Sequence, residues 1–359
     1  MNWNKASPWN YPMLRKLFFF WVLVSLLAGC GREPLVSKES FVFGTRVQVL
    51  IWGEDEVKAD AAANTVLREF DRLHRAYHAW QPSELTALND AIAAGRSLKV
   101  SPELAAFVSE AQDFAAHGEY LFDPGIGQLI QLWGFHDDTF KPQLPDPAKL
   151  KALQAAHPSV ADVRIDGLTI SSRNKSVALD FGGYLKGVAL DKAAVLLHQQ
   201  GVSNALINIG GNIMALGSKG GKPWKVGLQH PRNTSPLAAL ELRDGEAIGT
   251  SGDYQRYFEL NGRRYSHLID PRTGEPSTAS ESVSVLIPPG PKAGMWSDAA
   301  SKPLFIAGDD WPRLATKLGI TQALRVDANN RIQVTAAIKP RLTFDPPDLK
   351  VEVVAVGVP

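Results

Sequence analysis

TSGDYQRYFELNGRRYSHLIDPRTGEP, residues 250–276, holds two alternating runs, 256–260 and 263–267, on either side of Asn261-Gly262. Asn-Gly favours the type I′ turn, whose positive φ angles match the right-handed twist of paired strands. The segment is therefore expected to be an antiparallel hairpin. A hairpin also brings its open ends together. One end carries Thr250, Ser251, Gly252 and Asp253; the other carries Ser266, His267, Asp270, Arg272 and Thr273. Small residues with free N–H groups and hydroxyls suit an anionic ligand, and a histidine among them can move a proton. An ordinary surface hairpin with polar ends has the same pattern, so these residues alone leave the function open.

Outward from the hairpin, more strands precede and follow it. Alternating or buried apolar runs predict strands over 41–52, 177–179, 205–209, 224–228, 239–242, 283–287, 323–326 and 332–335, with a small hairpin over 163–170 around Asp166-Gly167. Gly44-Thr45 interrupts the first run, where a bulge or a close ligand would fit. Helical spacing predicts helices over 57–77, 102–117, 148–156, 188–200, 293–306 and 311–318. Ser101-Pro102 supplies an N-cap and first-turn proline for the second, and Pro303 should kink or cap the fifth. Strands and helices mix without strict alternation and several strands are joined as hairpins. This implies an α+β fold of mixed, largely antiparallel sheets with flanking helices, not a doubly wound parallel one. The length suits two subdomains, with the Pro-rich stretch near Pro142 as the candidate boundary. Asp180 to Gly187 joins a strand to a helix through a glycine turn, an arrangement that can aim a helix N-terminus at a phosphate, although it is neither a Walker motif nor GxGxxG.

The 359-residue chain is 45% hydrophobic with a net charge of +1, which leaves no electrostatic footprint for nucleic acid. Its single cysteine excludes an internal disulfide and a Cys cluster for zinc. That cysteine, Cys30, follows a basic pair, Arg15-Lys16, and an apolar run over 17–28. The order is that of a secretory signal, and Leu27-Ala28-Gly29-Cys30 resembles a bacterial lipobox. Such signals imply lipidation of Cys30 and anchoring on the periplasmic side of a bacterial membrane, inner or outer.

Read in order, five segments resemble motifs of the ApbE family, the FAD:protein FMN transferases. Phe43-Gly44-Thr45 is similar to its "MGT". Phe122-Asp123-Pro124 through Trp133-Gly134-Phe135 is similar to "FDxTVGPLVxLWGF". Residues 179–187 resemble "DLGGIAKG", residues 206–212 resemble "LVNLGGNI", and Thr250 to Gly274 resembles "TSGxY…SHIIDPRTG". The resemblance covers most of the chain beyond Cys30 and implies an ApbE-like, T-fold-related architecture. The expected division is a signal peptide over 1–29, a lipidated tether over 30–40, a flavin transferase domain over 41–340 and a C-terminal tail over 341–359.

The resemblance implies transfer of FMN from FAD to a Thr or Ser hydroxyl of an extracytoplasmic acceptor, a subunit of a redox or ion-pumping complex, with release of AMP. It places FAD against Phe43, Trp80, Asp123, Pro124, Gly125, Asp180, Lys186, Thr250, Ser251, Gly252 and Asp270, and makes His267 the catalytic residue. A periplasmic FAD pyrophosphatase and a non-catalytic FAD-binding lipoprotein are the alternatives. Magnesium is the implied cofactor, held by Asp298, a Thr four residues later and the backbone oxygen of Gly183. Here the chain departs from the pattern: Ser301 and Lys302 follow, with Lys302 where the Thr is expected. An ammonium has no lone pair for a metal. It can swing aside while Ser301 fills in, weaken the metal, or partly replace its charge.

Overall fold

The computed structural model describes residues 35–137 and 139–357; Cys30 and the apolar run before it lie outside them. Nine strands neighbour one another in chain order in the central sheet: Leu35–Val42, Thr45–Trp52, Ala205–Ile209, Asn212–Leu216, Ala247–Gly252, Ser280–Ile287, Ala323–Asp327, Ile332–Thr335 and Val351–Val354. Every pair is antiparallel except the last, which is parallel. The α+β, largely antiparallel class read from the sequence is the class observed.

Alternation along the strands sends side chains to opposite faces. Val47, Val49, Ile51, Ile207, Val283 and Val285 face a helical layer. Leu206, Ile213, Ile248, Leu286, Leu324 and Val326 face a small sheet formed by Trp224–Gln229, Pro236–Leu242 and Leu342–Phe344. Leu35–Pro359 forms one compact unit. The cores lie on the two faces of the sheet, and a third cluster, Ile126, Leu129, Trp133, Phe135, Phe258, Tyr265 and Ile269, joins the hairpin to the segment before the proline-rich stretch near Pro142, which marks no boundary between compact units.

Several local expectations are corrected. The run over 41–52 is not one strand but a hairpin, because Phe43 and Gly44 both take positive φ, 57° and 66°, and reverse the chain. Its first strand begins at Leu35, inside the stretch expected to be tether. The tail over 341–359 supplies one strand to the small sheet, Leu342–Phe344, and one to the central sheet, Val351–Val354. Residues 177–179 form no strand; Ala178 makes a single bridge to Ile126. Helix Glu84–Ala93 was not foreseen, although Ser83 and Thr86 form a reciprocal capping box at its start. Pro303 sits within helix Ala293–Ala307 without ending it. No helix among the described residues is long and apolar enough to cross a membrane.

The hairpin from which the sequence was read is present. Tyr257–Leu260 pairs with Arg263–Ser266, and Asn261 and Gly262 both have positive φ, 53° and 73°. It is inserted between two central strands, Ala247–Gly252 and Ser280–Ile287.

Candidate active site

Helices Leu185–Gln199 and Ala293–Ala307 cross where two glycines meet. A Cβ on Gly187 would lie 2.4 Å from the Gly294 carbonyl oxygen, and one on Gly294 would lie 2.5 Å from that of Gly187. On the sheet side, a Cβ on Gly249 would lie 2.2 Å from the Ser297 carbonyl oxygen. Backbone therefore touches backbone on both sides of helix Ala293–Ala307. This packing drives Asp298, fully buried, against the first turn of helix Leu185–Gln199. The Gly187 N–H, one of the amides a helix start leaves unpaired, donates to Asp298 Oδ2 at 2.9 Å. The glycine turn was expected to aim this helix start at a phosphate. Its Gly187 amide is instead taken by a carboxylate of the same chain.

Asp298 is surrounded by donors. Its Oδ1 accepts from Asn212 Nδ2 at 3.1 Å and from Lys302 Nζ, and Lys186 Nζ stands 3.9 Å away. Lys302 Nζ also donates to the Asp298 carbonyl at 2.6 Å. The Lys302 stem runs along Gly183, whose hypothetical Cβ would meet Cε at 3.1 Å. Ser301 Oγ donates to the Asp298 carbonyl at 2.8 Å and shares a 2.7 Å bond with Ser251 Oγ. Burial pushes the Lys302 ammonium down to about 8, against the opposing pull of Asp298. Gly183, Asp298, Ser301 and Lys302 were the expected metal group, and they do meet. Their donor set does not fit magnesium, which needs oxygen lone pairs in a near-octahedral shell. Among the described residues, no group of three or more His, Cys, Asp or Glu could hold a metal.

His267 continues the hairpin ladder just past its last pair. Its backbone N–H donates to the Arg256 carbonyl at 3.0 Å, and its Nδ1 lies 3.1 Å from the same oxygen. A carbonyl only accepts, so Nδ1 carries the proton and Nε2 is the ring's acceptor. Burial, followed by the Arg256 charge, pushes the imidazole down to about 3; Lys186 and Lys302 add to the effect. The ring is thus neutral at physiological pH. Arg256 is itself fixed through donation to the Phe135 carbonyl at 3.0 Å and by lying 5.2 Å above the Phe140 ring. The stacked rings of Phe135, Phe258 and Tyr265 bind the hairpin to the segment after helix Gly127–Leu132.

These elements enclose a cleft of about 700 Å³, within the usual range for small-molecule sites. Phe43, Trp80, Asp123, Asp180, Gly183, Lys186, Thr250, Ser251, His267, Asp298 and Lys302 all line it. Phe41, 70% exposed, and His136, whose ring lies 5.7 Å from Trp80, extend its aromatic rim. Burial raises Asp180 above the usual carboxylate range, although the Gly182 N–H donates to it at 2.7 Å.

Four expected FAD contacts, Asp270, Pro124, Gly125 and Gly252, lie outside the lining of the cleft. Asp270 spends its carboxylate on Arg272, accepting from its backbone N–H at 2.9 Å and Nη2 at 2.7 Å, which shapes the Asp-Pro-Arg-Thr turn away from the cleft. Gly125 is tight against Val160, whose backbone nitrogen would lie 2.4 Å from a Cβ. Gly252 faces Tyr254, with ring carbon Cε1 2.3 Å from its hypothetical Cβ. Asp123, although at the cleft, accepts from Gly125 N–H at 2.7 Å, Val160 N–H at 2.8 Å and Ser159 Oγ at 2.5 Å, so it fastens its loop. Two residues were missed. Asn212 closes the Gly210-Gly211 turn that carries it under Asp298, and its position after paired glycines was the available signal. Arg256 opens the hairpin arm, but only the folded pairing puts its carbonyl under His267.

The family model described as the ApbE family matches residues 43–324. A FAD:protein FMN transferase of Rhodobacter capsulatus is 41% identical over 86% of this chain, and the chain spans only 58% of that relative's length. A FAD:protein FMN transferase of Klebsiella pneumoniae is 33% identical over 76% of this chain and 81% of its own. The crystal structure of the ApbE protein of Thermotoga maritima superposes with a TM-score of 0.78 at 27% identity, covering 86% of this chain and 99% of that one.

Proposed function

The chain belongs to the ApbE family, and from that membership we propose that it transfers the FMN half of FAD to a Thr or Ser hydroxyl of an acceptor protein. The hydroxyl oxygen attacks the FMN-side phosphorus. A new P–O bond forms, the bond from that phosphorus to the bridging oxygen breaks, and AMP leaves with the bridging oxygen. The hydroxyl proton passes to His267 Nε2. The barrier lies in positioning and in charge collected on the phosphoryl oxygens. Lys186, Lys302 and Arg256 supply positive charge around the cleft. Phe43, Trp80 and Phe41 offer flat apolar surfaces for the two ring systems.

The observation that carries this reading is the tautomer of His267. Its proton is committed to the Arg256 carbonyl on one nitrogen, which leaves the other as the ring's proton acceptor in the cleft.

The experiment is incubation of the purified protein with FAD and a Thr-bearing acceptor, followed by a denaturing gel. A fluorescent acceptor band is expected. Release of FMN without labelling would establish the pyrophosphatase alternative instead, and intact bound FAD would establish storage. The setting proposed for this reaction is the periplasmic face of a bacterial membrane. A lipid on Cys30 holds the enzyme there, beside a redox or ion-pumping subunit as acceptor. Mass analysis of membrane-extracted protein checks the anchor: an N-terminus at Cys30 bearing acyl chains is expected, and an unmodified cysteine refutes it.

A further inference from the structure

We propose that the Lys302 ammonium takes the place of a divalent cation at the floor of the cleft, so that this chain binds FAD without a metal. The inference deepens the transferase reading and rests on it. The ammonium sits on Asp298, which the sequence marked as a metal ligand, and its stem fills the space beside Gly183, the other expected ligand. Both carboxylate oxygens of Asp298 already accept hydrogen bonds. Asp298 Oδ2 accepts from Gly187, and Oδ1 accepts from Asn212 as well as Lys302. Ser301 has turned to Ser251 and the Asp298 carbonyl, so it has not filled the place of the expected Thr. A divalent ion entering here would meet a buried positive charge and a carboxylate that is already shared.

The arrangement can do what the ion would do for the phosphates. The Asp298 carboxylate faces two ammonium groups, Lys302 and Lys186, so its single negative charge is more than matched where it stands, and Asp180 lines the same cleft. Lys302 has three N–H donors. Two go to Asp298, through its carbonyl and Oδ1, and the side chain lines the cleft, where the third can meet a pyrophosphate oxygen. A lysine is a point charge and serves phosphate in this way in other folds. Asp298 then holds and orients the ammonium.

The test is FAD affinity, read by quenching of flavin fluorescence, for the whole protein in EDTA and in excess magnesium. For the wild type, the two dissociation constants should agree within about twofold. Lys302→Thr should lose about tenfold or more in EDTA and recover with magnesium, as its hydroxyl opens a seat for the ion. Lys302→Gln keeps the bulk without the charge and should stay weak in both media; a thermal melt confirms that each variant is folded. Lys302→Arg should keep metal-free binding. Magnesium-dependent FAD binding by the wild type, or full affinity of Lys302→Gln in EDTA, overturns the proposal while leaving the transferase reading in place. Absence of flavin-nucleotide affinity in either medium overturns both.

Discussion

His267 is held twice by one carbonyl, through its backbone N–H and through Nδ1, and this fixes both where the ring stands and which nitrogen is basic. His267→Ala is expected to bind FAD within about threefold of the wild type yet lose transfer by about 100-fold or more, the loss expected for removal of a general base; acceptor labelling and flavin quenching separate the two effects. The same ring gives a stability signature. Its native pKa, pushed down to about 3, lies below its ordinary value of 6.5, so the unfolded chain takes up the proton first. The stability carried by the neutral ring is complete above about pH 6.5 and is lost as pH falls from there towards 3. Urea unfolding of wild type and His267→Gln should therefore diverge over that window, with the variant losing less stability as the solution is acidified. Parallel pH profiles would refute the burial account. The histidine was legible in the sequence because it lies beside an Asn-Gly hairpin. Its tautomer was not, because the partner is a backbone oxygen eleven residues away, set by strand pairing.

Among the elements, helices Leu185–Gln199 and Ala293–Ala307 depend on each other through Gly187 and Gly294. Gly187→Ala adds a Cβ 2.4 Å from the Gly294 carbonyl oxygen and 2.8 Å from Asp298 Cβ. Helix Ala293–Ala307 cannot yield without disturbing its sheet contact at Gly249. The substitution should destabilise the fold by about 2 kcal/mol, in the range for overpacking, and weaken FAD binding by displacing Asp298 and Lys302. A thermal melt together with the quenching assay checks it; a variant as stable as the wild type would show that the helices separate freely. Without the packing, Gly187 to Ala would favour helix, since alanine is the better helix former. The sequence signalled both helices and their glycines. It could not signal that the glycines face each other, which is why the helix start was assigned to phosphate and not to Asp298.

At the scale of the described residues, one sheet carries a core on each face, and no buried residue of the core against the small sheet lines the cleft. The chain after Arg341 closes the other core: Leu342, Phe344, Leu349 and Val351 pack against it, and Val351–Val354 covers the edge of Ile332–Thr335. Ending the chain at Arg341 should cost about 2–4 kcal/mol, from partial burial of four apolar side chains, and expose a sheet edge that promotes aggregation. FAD affinity of the remaining folded protein should be kept, because no residue beyond 341 lines the cleft; lost affinity at unchanged stability would refute this separation. Local patterns carried the antiparallel class, the hairpin at Asn261-Gly262, most helices and the segments that meet in the cleft. Alternation, helical spacing and turn chemistry act over a few residues, so a linear reading reaches them. The tertiary structure alone decided that Asp270 builds a turn, that the stretch after residue 341 belongs to the sheets, and that Asp298 is matched by Lys302 where a metal was expected. Each of these depends on which distant group fills a carboxylate's lone pairs or an open apolar face, and that is settled only when the backbones close on one another.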